Sequence, residues 1–445
     1  MPFRFLHGAL ALALLLLSVP GLAETDEERA ENDRVAELER KVELLADELE
    51  RQRTTTAVPE SDELKSVWGL GPAASKIYGV TKGLSIGGYA EAKYAAHVSD
   101  KGGSKNRADF VRGVLYVGYK FTDWLVFNSE IEFEHASTST GGSVSMEFAT
   151  LDFLWRDELN ARLGLLLVPM GFVNELHEPP FFYGNNRPEV ERRIIPSTWR
   201  ENGVGIFGTL FDDTVQYKLY AVNGLDGVGF DRDGFRGGRQ KGGEALAEDI
   251  AMVARLDVTP IPELTLGGSI YVGESGQNQE ISAGGNPPQY VPDARTVIYE
   301  FHAQLQTHGW KARGLISKAH VNQAGRLSDT LQPTALGGIG EISDGEAVAN
   351  EMFGAYAEAG YDIWGHFFPD SEMSLEPFYR YEFVDTQYDM PSGFAKDSTQ
   401  RNPFHTVGFS LKPIPNVVLK VDYRNRDNRG GSQSDEVNLG FGLVY

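Results

Sequence analysis

Residues 125–134 read LVFNSEIEFE, with Leu125, Phe127, Ile131 and Phe133 on one phase of a two-residue repeat and Asn128, Glu130, Glu132 and Glu134 on the other. An extended strand separates greasy from charged side chains in this way, because successive Cβ atoms point to opposite faces. The same period governs Val417, Leu419, Val421 and Tyr423 against Lys420, Asp422, Arg424 and Arg426. From about Leu84 onward, segments of roughly 9 to 14 residues repeat the pattern between clusters of Gly, Asp, Asn and Pro. The strands of a soluble sandwich also carry one apolar and one polar face, so the decision rests on three further features.

First, the segments suit the ~9–11 residues of a tilted membrane-crossing strand better than the ~5–6 of a globular one. Second, Phe121, Trp124, Tyr299, Trp310 and Tyr445 sit near segment ends on the apolar phase, where an interfacial girdle belongs. Third, the connections alternate in length. Brief turns fall near 121–124, 155–160, 211–214, 257–264, 307–310, 362–373 and 412–416, and longer polar loops near 97–107, 135–143, 169–199, 223–247, 275–294, 322–348, 385–401 and 427–433. Such an alternation gives about sixteen strands, with both ends of the domain on the short-turn side. The expected fold is all-β: a transmembrane antiparallel β-barrel of about sixteen strands over residues 83–445, preceded by a short N-terminal coiled-coil helix. Closure follows because hydrocarbon offers the backbone groups of an open edge no partner. A cylinder of this size is wide enough to hold water.

The N-terminal part has a different composition. Arg4, a leucine-rich run over 9–19, and the small residues Gly21 and Ala23 predict a signal peptide over 1–23, its apolar run too short to span a bilayer. Residues 24–53 contain no Gly or Pro, and Val35, Leu38, Val42, Leu45 and Leu49 are spaced 3, 4, 3 and 4. That is an a/d seam, and so narrow a stripe needs partner chains. The segment is expected to lie in the periplasm and clasp an oligomer, with residues 54–82 as a linker to the barrel.

Composition excludes other classes. A net charge of -22 argues against nucleic acid as a partner, which demands a surplus of Lys and Arg. With no Cys there is no disulfide framework, thiolate nucleophile or cysteine metal site. The nine His are scattered and form no nucleophile–base arrangement, so the reading contains no catalytic residue, no metal and no cofactor. Asp226, Asp231, Asp233, Glu244, Glu248, Asp329, Glu341, Asp344 and Glu346 read as a solvated loop face, and Gly237 with Gly238 lacks the strand and helix of a phosphate-cradling loop.

The final strand, EVNLGFGLVY over 436–445, alternates cleanly and ends on an aromatic, which resembles the recognition signal of outer-membrane barrel proteins. A second resemblance covers Arg112 to Gly208. GVLYVGYKFTDWLVFNSEIEFE (113–134), the strand 151–155, NARLGLLLVPMGF (160–172) and the opening Gly203, Val204, Gly205 look like the phosphate-selective porin O and P superfamily. The step Val168, Pro169, Met170, Gly171, Phe172 is similar to that family's strand exit before its constriction loop. The resemblance implies a homotrimer of sixteen-stranded barrels in the bacterial outer membrane, with membrane lipid and lipopolysaccharide as neighbours. This sequence departs from the family in showing no lysine-rich constriction, which leaves a phosphate preference open.

On the inferred inward phase fall Arg112, Lys120, Arg162, Lys218, Arg255, Lys311, Arg313, Arg380, Lys420 and Arg424. Charge on the lipid face would cost about 2–4 kcal/mol at midplane, which forces this phase. Glu130, Glu132, Glu134, Asp249, Glu300, Glu376, Glu382 and Asp422 share it, so a mixed lumen is expected, with opposite charges segregated across it. The loop at about 169–200 is long, rich in aromatics and Pro, and is expected to fold inward, with Pro179, Pro180 and Pro196 limiting its freedom. Arg192, Arg193 and Arg200 are the expected anion-attracting side of the constriction, near Arg187. Glu189 and Glu191 would oppose them or neutralise them by pairing. The opposite reading has the arginines merely pinning the loop to an acidic wall. The function expected is a water-filled channel for passive diffusion of small hydrophilic solutes, anions such as phosphate or small carboxylates foremost. The alternative is a non-conducting structural or adhesive trimer tethered to the cell wall through its coiled coil.

Overall fold

The structure, a computed structural model, describes residue 37 and residues 40–42, 64–98, 105–139, 141–281, 289–332, 346–426, 430 and 433–445. The chain divides into two units, Met1–Thr54 and Thr55–Tyr445. Of the first, Glu37 and residues 40–42 are helical, with a Lys41–Glu37 ion pair of 2.7 Å one turn apart, and Val42 is exposed. The signal peptide and the seam residues Val35, Leu38, Leu45 and Leu49 lie outside the described residues.

The second unit is a closed antiparallel barrel of sixteen strands in sequence order. They are β1 (Gly83–His97), β2 (Arg107–Thr122), β3 (Leu125–Glu134), β4 (Val144–Arg156), β5 (Leu159–Leu167), β6 (Arg200–Leu210), β7 (Val215–Asn223), β8 (Ile250–Ile261), β9 (Leu264–Gly273), β10 (Thr296–Thr307), β11 (Trp310–Val321), β12 (Glu351–Tyr361), β13 (Ser374–Asp389), β14 (Arg401–Ile414), β15 (Val417–Arg426) and β16 (Glu436–Val444). Closure is made by β1 against β16, from Tyr89 opposite Val444 to His97 opposite Glu436. Tyr445 continues this seam, its N–H donating to Gly88 O at 2.9 Å. Every strand edge is thereby paired, as a wall facing hydrocarbon requires.

The connections keep to the expected alternation. His308 and Gly309, both with positive φ, form the two-residue turn between β10 and β11, whose backbone twist matches the flanking strands. On the opposite rim the third long loop spans 168–199 and the fourth 224–249. The two phases of each strand separate as the alternation demands. Leu84, Ile86, Phe133, Leu163, Leu256, Phe301, Val407 and Phe441 are exposed on the outer face, while Glu130, Asp152, Arg162, Glu300, Arg380 and Glu382 are buried within. Near the short-turn rim the outer face carries paired aromatics, Trp124 with Phe153 and Trp310 with Tyr361.

The interior holds two bodies that the strand period does not announce. One is a helix, α1 (Pro72–Gly79), within the stretch that reads as linker. Ile77 lies over Gly118 of β2, where an added Cβ would come within 2.7 Å of it, and Ala74 O accepts from Asn128 Nδ2 of β3 at 2.9 Å. The helix has no side-chain cap of its own. Glu178 of the third long loop supplies one, its carboxylate accepting from the N–H groups of Ala73 at 3.0 Å and Ala74 at 3.3 Å. The other body is an apolar core inside the barrel. Val190, Ile194 and Trp199 of the third loop, Leu225, Phe230 and Phe235 of the fourth, and Leu327 of α3 (Ala324–Leu331) pack on the inward residues Tyr220, Val253, Tyr271, Ile298, Leu315 and Met352 of β7 to β12. The helix between, α2 (Val190–Arg193), lies against β12, where Val190 would meet a Cβ at Gly354 at 3.0 Å.

Candidate functional site

Beside the apolar core lies a charged vestibule of about 1020 Å³. Its walls are β1 to β4, β15 and β16, and its lid is formed by the third and fourth loops. It is lined by twelve Lys and Arg against seven Asp and Glu. Most of the acids are already neutralised. Glu91 and Glu132 face Arg112 at 2.7 and 2.8 Å, Glu147 faces Arg200 at 2.7 Å, and Glu189 faces Arg424 at 3.1 Å, with Glu436 paired to Arg426. Opposite charges therefore interleave as neighbours on the wall rather than standing apart on opposite sides of the lumen.

The surplus is positive, and much of it comes from residues 234–243, GFRGGRQKGG. Arg236, Arg239 and Lys241 all border the vestibule, and no ion pair to any of them is present among the described residues. Backbone carbonyls aim the two arginines instead, Ser197 O for Arg236 and Thr198 O at 2.5 Å for Arg239. Partial burial, with Arg192 and Arg187 nearby, lowers Arg236 to about 10, and burial next to Arg236 and Arg200 lowers Arg239 to about 9. Gly237 allows this fold of the loop, since a Cβ there would lie 2.2 Å from Gly229 O. The sequence reading passed over these cations because acids dominate the rest of the loop. The signal available was the local run of basic residues and Gly, with Arg236 and Arg239 three apart.

The expected constriction residues divide. Arg187, Glu189, Arg192 and Arg200 border the vestibule, Arg200 as the first residue of β6 rather than part of the loop. Arg193 and Glu191 do not border it. Arg193 turns away to Glu189 at 3.1 Å and Gln400 at 3.2 Å. Glu191 is buried, accepting from Tyr356 Oη at 2.5 Å and from the N–H groups of Phe172 and Val173 at 2.7 Å each. Its pKa is raised by burial, which those donors only partly offset. The physical reason is the short helix α2, which puts Glu189 and Arg192, three apart, on the side facing the vestibule and turns Glu191 to another. Burial also works against charge on Glu189, but Arg424, Arg192 and Arg193 outweigh it and hold that carboxyl well below the usual range.

All ten expected lining cations sit on the inward phase, yet they do different things. Arg112 and Arg424 face the vestibule. Lys311 and Arg313 face a second cavity of about 230 Å³ nearer the short-turn rim, paired with Glu376 and Glu358 at 2.7 and 2.5 Å. Lys120 stands near the short-turn end of β2, opposite Gly83 and Val126. The other five are pins. Arg162 binds Asp152 at 2.7 Å and the Tyr78 hydroxyl of α1 at 3.0 Å. Lys218 holds Glu175 of the third loop at 2.5 Å, and Arg255 reaches Gly171 O of the same loop at 2.5 Å. Arg380 donates to Tyr183 O at 3.1 Å and Asn186 O at 2.8 Å, and Lys420 to Phe182 O at 2.8 Å and Gly184 O at 2.9 Å. Arg255, Arg380 and Lys420 of the wall thus hold the loop by its carbonyls, while the wall carboxylates Glu382 and Asp422 accept from the N–H groups of Glu189 and Asn185.

No model of a known protein family matches the chain. An uncharacterized protein of Aquifex aeolicus is 37% identical over 392 residues, spanning 86% of this chain and 84% of that one, and the two belong to one family. Among solved structures the fold is similar to a loop-deletion mutant of OmpT, an outer membrane protein of Vibrio cholerae, at 9% identity and a TM-score of 0.51, covering 82% of this chain and all of that one. The outer membrane channel DcaP of Acinetobacter baumannii aligns at 14% identity and a TM-score of 0.50, covering 81% and 97%. OmpF of Salmonella typhi, in complex with daunomycin, aligns at 10% identity and 0.50, covering 82% and 98%. At such identities the likeness concerns the fold: the sixteen-stranded barrel of outer-membrane porins.

Proposed function

We propose that this member of the family it shares with the Aquifex aeolicus protein is an outer-membrane porin, a passive channel for small hydrophilic anions. The observation that carries the reading is the vestibule of about 1020 Å³ in which Arg187, Arg236, Arg239 and Lys241 stand without acidic partners among the described residues. Rings of Arg and Lys favour anions by making the local potential positive, and low-dielectric walls strengthen the effect. The net charge of -22 does not oppose this, because selectivity follows the charge that faces the path. Phosphate and small carboxylates are the anions this proposal puts first. The resemblance to the phosphate-selective porin O and P superfamily is part of the same proposal.

Under this reading the signal peptide exports the chain, the heptad seam joins three copies in the periplasm, and the long loops face lipopolysaccharide. Single-channel recording from the purified full chain in planar bilayers tests it, with conductance steps expected and block by phosphate or a small dicarboxylate ranking the solutes. The filling of the lumen by α1, the third loop and the apolar core supports a second reading, a non-conducting structural trimer. Silence of correctly folded protein in the same recordings would favour that reading.

A further inference from the structure

We infer that the Phe182 ring is the partition between an outer and an inner chamber of the pore, and that it sets the size limit for permeation; this rests on the porin reading. Among the described residues, Phe182 alone borders both the vestibule of about 1020 Å³ and the cavity of about 230 Å³. The ring is almost fully buried, 5% exposed. Lys420 Nζ lies 3.7 Å from its centroid, and the same ammonium donates to the carbonyls of Phe182 and Gly184. The cation therefore seats both the ring and the backbone that carries it.

The segment around the ring is held on every side. Tyr183 stacks on Phe378 with centroids 4.9 Å apart and donates its hydroxyl to Glu376 at 2.6 Å. Asn185 gives both its N–H and its Nδ2 to Asp422, at 2.8 and 2.6 Å. The strands are cut away to admit this strap. A Cβ at Gly442 would stand 2.2 Å from Pro179, and one at Gly440 would stand 2.0 Å from Asn185 Oδ1. A loop fixed this firmly is a wall rather than a flap, so a solute leaving the vestibule for the inner cavity must pass the edge of the ring. An aromatic edge excludes bulk water at a narrowing and raises the barrier to hydrated ions.

Because the chain has no Cys, a single introduced thiol reports its own surroundings. The experiment records Phe182→Ala, Phe182→Leu and Phe182→Cys in planar bilayers beside the wild type, after heat-modifiable mobility has shown each to be folded. Phe182→Ala should raise single-channel conductance at least about twofold, with Phe182→Leu between it and wild type. A charged, membrane-impermeant thiol reagent should modify the Phe182→Cys variant from either side of the bilayer and lower its current. A conducting wild type with unchanged Phe182→Ala currents, or with the thiol of the Phe182→Cys variant reached from neither side, overturns the partition and leaves the porin reading standing. Silence of wild type and variants alike overturns the porin reading itself.

Discussion

Toward the long-loop ends of β7 to β12 the lumen is dry, filled by Trp199, Ile194, Phe230 and Phe235 packed on Tyr220 and Tyr271; between β1–β4 and β15–β16 the same barrel encloses an open volume and guanidiniums that have no acidic partner among the described residues. Both halves have walls of the same strand period. What distinguishes them is the inward residues toward the long-loop rim, Tyr220, Val253, Tyr271 and Ile298 on one side and Glu91, Arg112, Glu132 and Arg424 on the other, and the loop surface each recruits. The dry half supplies rigidity and the charged half a field. The two can be broken separately.

The largest effect is expected in the dry half. Trp199 is fully buried, lies 4.9 Å from Tyr271 and donates Nε1 to Glu201 at 3.2 Å. Trp199→Ala should lower stability by about 3–5 kcal/mol, read as the denaturant midpoint in detergent, with ion preference unchanged in whatever channels fold. Arg236→Gln with Arg239→Gln should do the reverse. The two side chains are partly exposed and held by carbonyls. Stability should move by less than about 1 kcal/mol, while anion over cation permeability should fall severalfold. If the double variant unfolded the protein and Trp199→Ala changed only selectivity, the division of labour would be the wrong way round.

The sixteen strands, their inward and outward phases and the turn order were legible in the sequence because hydrocarbon punishes any exception to the alternation. In the third loop the sequence offers aromatics and Pro residues, and the structure packs Val190, Ile194 and Trp199 of it on inward residues of the wall. The vestibule was less legible. Arg236, Arg239 and Lys241 lie in a loop with no period, and only the chain's passage over Ser197 and Thr198 brings them to the lumen. The helix α1 reads as linker because the partners that bury it, Gly118, Asn128 and Glu178, are far away in sequence. The displacement of Glu191 from the vestibule depends on one turn of helix, below what a pattern can resolve.

Two smaller effects sharpen the comparison. Glu189 is held ionised by arginines, so its contribution to stability is present above the ordinary carboxylate pKa and is lost only as pH falls through its depressed value. The hold of Glu189 on Arg424, and with it the protection of the third loop from proteases, should persist unchanged from neutral pH to below about 4. Glu189→Gln should expose that loop at every pH tested. The smallest effect is expected at Tyr78, whose hydroxyl donates to Asp152 at 2.6 Å. Tyr78→Phe should cost about 1 kcal/mol and make cleavage between residues 64 and 82 faster, without altering ion preference.

The zero-current potential across a planar bilayer holding the full-length protein, measured in a salt gradient, bears most directly on the claim that the vestibule is an anion path. A potential of the sign set by anion flow, moving toward zero when Arg236 and Arg239 are neutralised, is the predicted result. A cation-selective potential, or one indifferent to those two substitutions, would contradict it.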